Sequence, residues 1–438
     1  MTKLVAVTAL LVLSFSLRPP VRSDWPQAGG PTRDSCSPET GLSKSWSLGG
    51  PPLLWTFRKT GVGYSGPAIV GNRLFISGGR GDSEFVLALD LDTPVGQPPR
   101  EIWAAKIGPL FTWKGNSWNT GPNATPTVDG DLIYALGGFG DLLCLEIGTG
   151  KELWRVNLPR DLGGEVNPIG GGLDDPTPLG WGYASAPLVD GDKLICIPGG
   201  KQGLIAALDK RTGKLLWRSK EIPDQASYSS PMVVQACGVR QYIQVVNSGI
   251  VGVAAVDGKL LWRYQRQSAY DDVVIATPVV KDNYIFATVG FGQGCDLIKL
   301  HGEASSLSVE KIFSNKSVQN RDGGMVRLGD YLYGHSEGKG WLCMEFTTGK
   351  QAWMERSKLE RGSVTAADGS LYCCSEEGEV VLLKATSKAW TELGRYHLPE
   401  ESKQRRPSGR LWTHPVIAHG RLFLRDQELL FCYDIAAK

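Results

Sequence analysis

The chain has 438 residues, with 47 Lys and Arg against 45 Asp and Glu and a formal net charge of +2. That balance gives no general electrostatic pull toward nucleic acid or an anionic membrane. Hydrophobic residues make up 42% and charged residues 21%, which excludes a disordered chain, and the 55 glycines follow no three-residue period, which excludes collagen.

Residues 1–23 read as an export signal. Lys3 supplies the positive start, Leu4 to Leu17 is an apolar run, and Val21 and Ser23 are the small-residue pattern before a cut. Cleavage is placed near Ser23, leaving residues 24–438 as a single domain, secreted or periplasmic. No later stretch is long and apolar enough for a membrane span. Next comes Leu53-Leu-Trp55-Thr-Phe57, residues 53–57, a short apolar strand with no repeat of its own.

A unit of about 48 residues then recurs to the end of the chain. One copy runs Asn123-Ala-Thr-Pro-Thr-Val-Asp-Gly-Asp-Leu-Ile-Tyr134, then Gly140-Asp-Leu-Leu-Cys-Leu-Glu146, then Thr149-Gly-Lys-Glu-Leu-Trp154. The next has Pro187, Val189-Asp-Gly-Asp192, Ala207-Leu-Asp209 and Thr212-Gly-Lys-Leu-Leu-Trp217. Looser copies begin at Pro67, Pro231, Pro278, Met325, Val364 and Pro415, which makes eight units. The second strand carries Phe75, Tyr134, Ile195, Tyr242, Phe286, Tyr333, Tyr372 and Phe423; Tyr242 is delayed by an insertion around Cys237. The closing aromatic recurs as Trp103, Trp154, Trp217, Trp262, Phe313, Trp353 and Tyr396.

Each unit reads as four short strands. Asp-Gly sits where a two-residue hairpin turn needs positive φ, and Thr-Gly-Lys turns between the last two strands. Repetition of such sheets predicts an all-β, eight-bladed β-propeller of four-stranded antiparallel blades. The degenerate units at Pro278 and Val364 leave a seven-bladed ring as the alternative. The last unit stops at Cys432-Tyr-Asp434-Ile before any fourth strand. Residues 53–57 supply that strand, so the N-terminal strand completes the last blade and closes the ring.

The unit Pro…Asp-Gly-Asp…Ala-Leu-Asp…Thr-Gly-Lys-x-Leu-Trp resembles the repeat of the pyrroloquinoline quinone (PQQ) propellers over residues 50–438. That family includes calcium-dependent alcohol dehydrogenases and the non-catalytic propeller lipoprotein of the outer-membrane β-barrel assembly machinery. The opener Asp24-Trp-Pro and the run Trp181-Gly-Tyr…Pro198-Gly-Gly are similar to exported bacterial proteins of this group. The repeat specifies a fold and leaves chemistry open.

Chemical motifs are scarce. Gly61-Val-Gly-Tyr-Ser-Gly66 fits a dinucleotide fingerprint only in letters, because a strand and not a helix follows it. The five histidines are scattered, so no dedicated zinc site is expected. Cys144, Cys343 and Cys432 share a slot held by Ala88, Ala207 and Ala255 elsewhere, and read as buried thiols. The resemblance suggests a vicinal disulfide stacked on a cofactor for Cys373-Cys374. The pair falls inside a predicted strand, whose consecutive side chains point to opposite faces.

The loops leading into the innermost strands gather at one mouth of a propeller's channel. They carry Tyr64, Trp118, Asn119, Trp181, Tyr183, Tyr228, Asp271, Asp272, Arg321, Asp322, Arg361, Arg410, Trp412 and His414. Aromatic faces with guanidiniums and carboxylates suit a protein, a peptide or a planar anion. The expectation is a monomeric, non-enzymatic binding or scaffold protein of the cell envelope, partnered by a protein, peptide or envelope component. The alternative implied by the resemblance is a PQQ- and Ca²⁺-dependent alcohol or sugar dehydrogenase. There Asp271 or Asp272 would be the base, with Arg321 or Arg361 on the quinone oxygens. Residues 155–182 form the one long insertion, a candidate lid over the mouth.

Overall fold

Two glycine turns per repeat organise the chain. The computed structural model describes residues 19–94, 96–168, 180–266, 273–303 and 306–438. Between the first and second strands the turn residue has positive φ, as at Gly71, Gly130 and Gly191. Elsewhere both turn residues do, as at Asp368-Gly369 and His419-Gly420, the backbone that a tight hairpin demands. The insertion expected at Cys237 is such a turn. Cys237-Gly238 joins the longer strands Met232–Ala236 and Val239–Val246.

The strands form eight sheets, each built on four antiparallel strands, in chain order except that the eighth takes its fourth strand from residues 53–57, so the seven-bladed alternative falls away. The first blade is Ala68–Val70, Arg73–Arg80, Ser83–Asp90 and Arg100–Pro109. In the eighth, Leu53–Phe57 pairs antiparallel with Leu429–Asp434, matching Trp55 to Cys432. The ring is closed as the sequence predicts.

The second glycine turn explains the closing aromatics. Gly150, at φ 72°, lies against the ring of Trp103 from the preceding blade, and a Cβ there would be 2.6 Å from the indole. Gly213 meets Trp154 and Gly258 meets Trp217 in the same way. The indole also donates to the neighbouring turn, Trp103 Nε1 to the Ile147 carbonyl and Trp154 Nε1 to that of Lys210. Each Thr-Gly-Lys turn is therefore a socket for the aromatic of the blade before it. Only glycine satisfies both its φ and its closeness.

Strand pairing corrects three assignments. In the fourth blade Trp262 pairs with Gly252 and Gly252 with Ile243, so Ala255 and Tyr242 are not the equivalents of Ala88 and Phe75. The slot is glycine there because a Cβ would stand 2.2 Å from the Trp262 indole. In the seventh blade the closing position is Gly394, opposite Leu382, not Tyr396. Trp46 from the N-terminal segment fills the gap, its N–H bonded to the Leu393 carbonyl and its ring edge-on to Tyr396 at 5.5 Å. Tyr396 packs instead on Gly50.

Cys144, Cys343 and Cys432 are fully buried thiols, and among the described residues all nine cysteines are free. Burial pushes Cys144 up to about 12, well away from reactivity. No helix among the described residues is long and apolar enough to cross a membrane.

Candidate functional site

The innermost strands line a central channel, and one end of it is sealed by residues outside the repeat. Trp25 bridges to Ile69 of the first blade, and Val128 of the second donates to the Pro26 carbonyl. Arg33 reaches the third blade, its guanidinium donating to the carbonyls of Ala186 and Pro187. Cys36–Ser37 then runs parallel to Gly362–Ala367 as a fifth strand of the seventh blade. Asp24 ties this segment to the hairpin turns, accepting from Gly71 N and from His419 Nε2 at 2.9 and 2.8 Å. Glu39 does the same for Gly420 N at 2.8 Å. Polar bonds to hairpin backbones thus hold residues 24–39 as a floor at the hairpin end.

Above that floor lies a cavity of about 480 Å³ that opens among the loops. This volume is within the range of small-molecule and peptide sites. Its mouth is aromatic: Tyr64 and Trp412 lie 5.0 Å apart, and Trp118 stands edge-on to Trp181 at 5.7 Å. The rings are held from behind. Tyr64 Oη donates to the Trp118 carbonyl, Trp412 Nε1 donates to Glu376, and Tyr228 Oη donates to the Asn167 carbonyl while accepting from Trp181 N. Trp118 remains 38% exposed, a large apolar face left to solvent at a rim.

Charge is concentrated on one wall. Arg321 lies over the Phe291 ring at 4.2 Å and 3.8 Å from Glu337. Arg361 pairs with Glu376 at 2.6 Å and with Glu337 at 3.6 Å. Among them Asp322 is pushed up to about 7, first by burial and then by the Glu376 charge. His414 Nε2 donates to the Asp322 backbone carbonyl at 2.9 Å, and burial pulls its pKa down.

A family model described as outer membrane protein assembly factor BamB (PQQ_2) matches residues 97–355, more than half of the chain. The chain belongs to the PQQ_2 family. An outer membrane protein assembly factor BamB from Moranella endobia is 24% identical over 304 residues, covering 60% of this chain and 74% of the relative. A quinohemoprotein alcohol dehydrogenase ADH IIB from Pseudomonas putida is 26% identical over 278 residues, covering 58% of this chain but only 37% of that enzyme. Among solved structures, BamB from Moraxella catarrhalis superposes with a TM-score of 0.58 at 15% identity, covering 88% of this chain and 99% of that one. A europium-containing methanol dehydrogenase gives 0.63 at 12% identity, covering 92% and 89%. These structural likenesses establish the shared propeller.

Of the residues singled out from the sequence, this PQQ_2 propeller gathers Tyr64, Trp118, Asn119, Trp181, Tyr228, Arg321, Asp322, Trp412 and His414 around one cavity. Three lie elsewhere. Tyr183 is buried between blades, its hydroxyl on the Pro198 carbonyl at 3.2 Å. Arg361 stands behind the wall on Glu376, and Arg410 reaches outward to Glu377 at 3.0 Å. Asp271 and Asp272 lie outside the described residues, as does the central part, 169–179, of the insertion read as a lid.

Sequence reading missed the floor altogether, Trp25 and Arg33 included. The signal available was two tryptophans, Trp25 and Trp46, in a stretch before residue 53 that otherwise reads as a plain linker.

A quinone stacked on a vicinal disulfide does not fit Cys373 and Cys374. Cys373 packs into the core toward Val326 and Cys374 into the core toward Leu411, on opposite faces of the seventh blade. Among the described residues no three His, Cys, Asp or Glu side chains converge as metal ligands.

Proposed function

We propose that this chain is an exported, non-enzymatic envelope propeller that receives a protein or peptide segment at the loop-lined mouth of its channel. The observation that carries this reading is the blind cavity with its aromatic rim: rings pinned from behind present preorganised apolar surface to a segment entering from the loop side. The relative named as an outer membrane assembly factor agrees with an envelope role. Residues 1–23 would direct export and be removed with it, leaving the Asp24 amine in the neighbourhood of Glu39, the carboxylate that accepts from Ser23 N at 2.9 Å.

The test is a photo-crosslinking residue at position 118, with position 256 as control; both side chains are exposed, but Val256 lies on a turn of the fourth blade. A discrete protein adduct from 118 and none from 256 is expected in cell envelopes. Equal or absent adducts overturn the reading. The dehydrogenase relative keeps the quinoprotein alternative in view. Titration of the protein with PQQ and Ca²⁺, read by tryptophan quenching, separates the two: Ca²⁺-dependent saturation would favour the enzyme.

A further inference from the structure

Two side chains of opposite charge line the cavity, and neither has a direct ion-pair partner among the described residues. On the floor, Arg33 is only 4% exposed. Its Nη atoms donate to Gln27 Oε1, Pro187 O and Ala186 O at 3.0–3.1 Å, while Nε has no partner. No carboxylate among the described residues pairs with it, and burial alone pulls its pKa down to about 10. Arg425 makes the contrast. That guanidinium is equally buried, yet its Nε donates to Gln427 O and its Nη atoms to Ser65, Ser77 and Gly61 carbonyls. Arg425 is a finished structural tie. Arg33 lines the cavity with no carboxylate partner among the described residues, and its Nε is sealed from solvent without a hydrogen bond.

On the wall, the Asp322 carboxylate makes no hydrogen bond or ion pair among the described residues. Each nearby cation is already engaged, Arg321 with Glu337, Arg361 with Glu376 and Glu337, and His414 gives its proton to the Asp322 backbone. Arg33 and Asp322 both line the cavity, and no hydrogen bond or ion pair joins them among the described residues. A buried ion without a partner is unfavourable unless something arrives to pair with it.

We propose that the cavity binds a short zwitterionic peptide, its carboxylate on Arg33, its ammonium on Asp322 and an aromatic side chain among the rings of the mouth. Guanidinium is the natural partner of a carboxylate, and chain-end capture is a recurrent mode of peptide recognition. This deepens, and rests on, the reading that the mouth receives a peptide segment. Binding also acquires a pH profile. Asp322 must ionise against burial and against Glu376 and Glu337, with Arg321 and Arg361 opposing them, whereas the peptide amine must stay protonated. Affinity therefore rises through pH 7 and declines once the amine, at about 8, loses its proton.

Calorimetry on residues 24–438 tests this with the dipeptide Leu-Phe, its C-terminal amide and its N-acetyl form. Leu-Phe should bind saturably, and each blocked form at least tenfold more weakly. Arg33→Met should erase the difference between acid and amide. Asp322→Asn should erase the preference for the free amine together with the rise through pH 7. Because Arg33→Met also removes bonds that hold the floor, the comparison of the three peptides on unaltered protein decides the matter. Equal binding of all three, or none at millimolar peptide, overturns the proposal. If none binds while the adduct at position 118 persists, the docking mouth stands and only this inference falls.

Discussion

The two ends of the central channel are built on the same repeated strands, yet one is sealed and the other open. At the hairpin end the turns are short, and their backbone N–H groups donate to Asp24 and Glu39 of one long segment, residues 24–39. At the loop end each connection differs, and the aromatic and charged side chains of those loops converge on a cavity. The lesson is that the repeat makes the scaffold, while its individuality comes from chain outside the repeat. Floor and mouth both follow that rule by opposite means.

Removing the floor together with the closing strand should have the largest effect. Deletion of residues 24–58 leaves the eighth blade without its fourth strand and the channel unsealed, and the cooperative calorimetric transition should be lost. A chain that still melts in one sharp step would show that the ring does not depend on this segment.

Trp46→Ala comes next, at about 3–4 kcal/mol by the usual cost of removing a packed indole. Its contacts with Tyr372 and Tyr396 sharpen the comparison, because the seventh blade borrows this ring. Adding Gly394→Trp to Trp46→Ala should recover part of the loss, whereas Gly394→Trp alone should destabilise. Chemical denaturation of the three variants checks both signs.

The loop end also contains a titrating support. Glu84 accepts from Phe111 N at 3.1 Å and Gly138 N at 2.9 Å, and burial pushes it up to about 7 despite those bonds. The folded protein then holds this proton more tightly than the unfolded chain. Its contribution is fully present below the ordinary carboxylate range and is lost as pH rises toward 7, roughly 3 kcal/mol in all. Glu84→Gln should flatten that slope in melting temperature against pH, even with a lower baseline.

The smallest effects belong to exchanges the repeat already tolerates. Cys144→Ala should cost under about 1 kcal/mol, since Ala88 and Ala207 hold the same slot in neighbouring blades. Trp118→Ala should leave stability within about 0.5 kcal/mol while reducing ligand capture, the mark of a rim residue.

Blade count, turn chemistry and closure were legible because each rests on local rules: glycine at positive φ, a small residue beneath an aromatic ring, an unpaired last strand. Most of the mouth was legible too, because topology alone brings the loops together. What sequence could not show was register and substitution at a distance. Gly394 looks like a weak repeat until Trp46 is seen across the sheet, and Tyr396 looked like the match only because it is the nearest aromatic. Arg33 was invisible for a related reason. Its partners, Ala186 and Pro187, offer backbone oxygens, which leave no trace in residue identity.

Closure also imposes an order on the protein's birth. Glu39 and Leu42 bond to Gly420 and Ala436, and residues 53–57 pair with Leu429–Asp434, so residues 39–57 must wait for partners synthesised hundreds of residues later. Such contacts, hundreds of residues apart, make folding late and slow. A chain stalled before Leu429 has an unanchored leader and a bare strand edge, the state in which aggregation and proteolysis take their toll. Residues 39–57 and 420–436 act as a single clasp, and a product that lacks either half cannot fasten the ring.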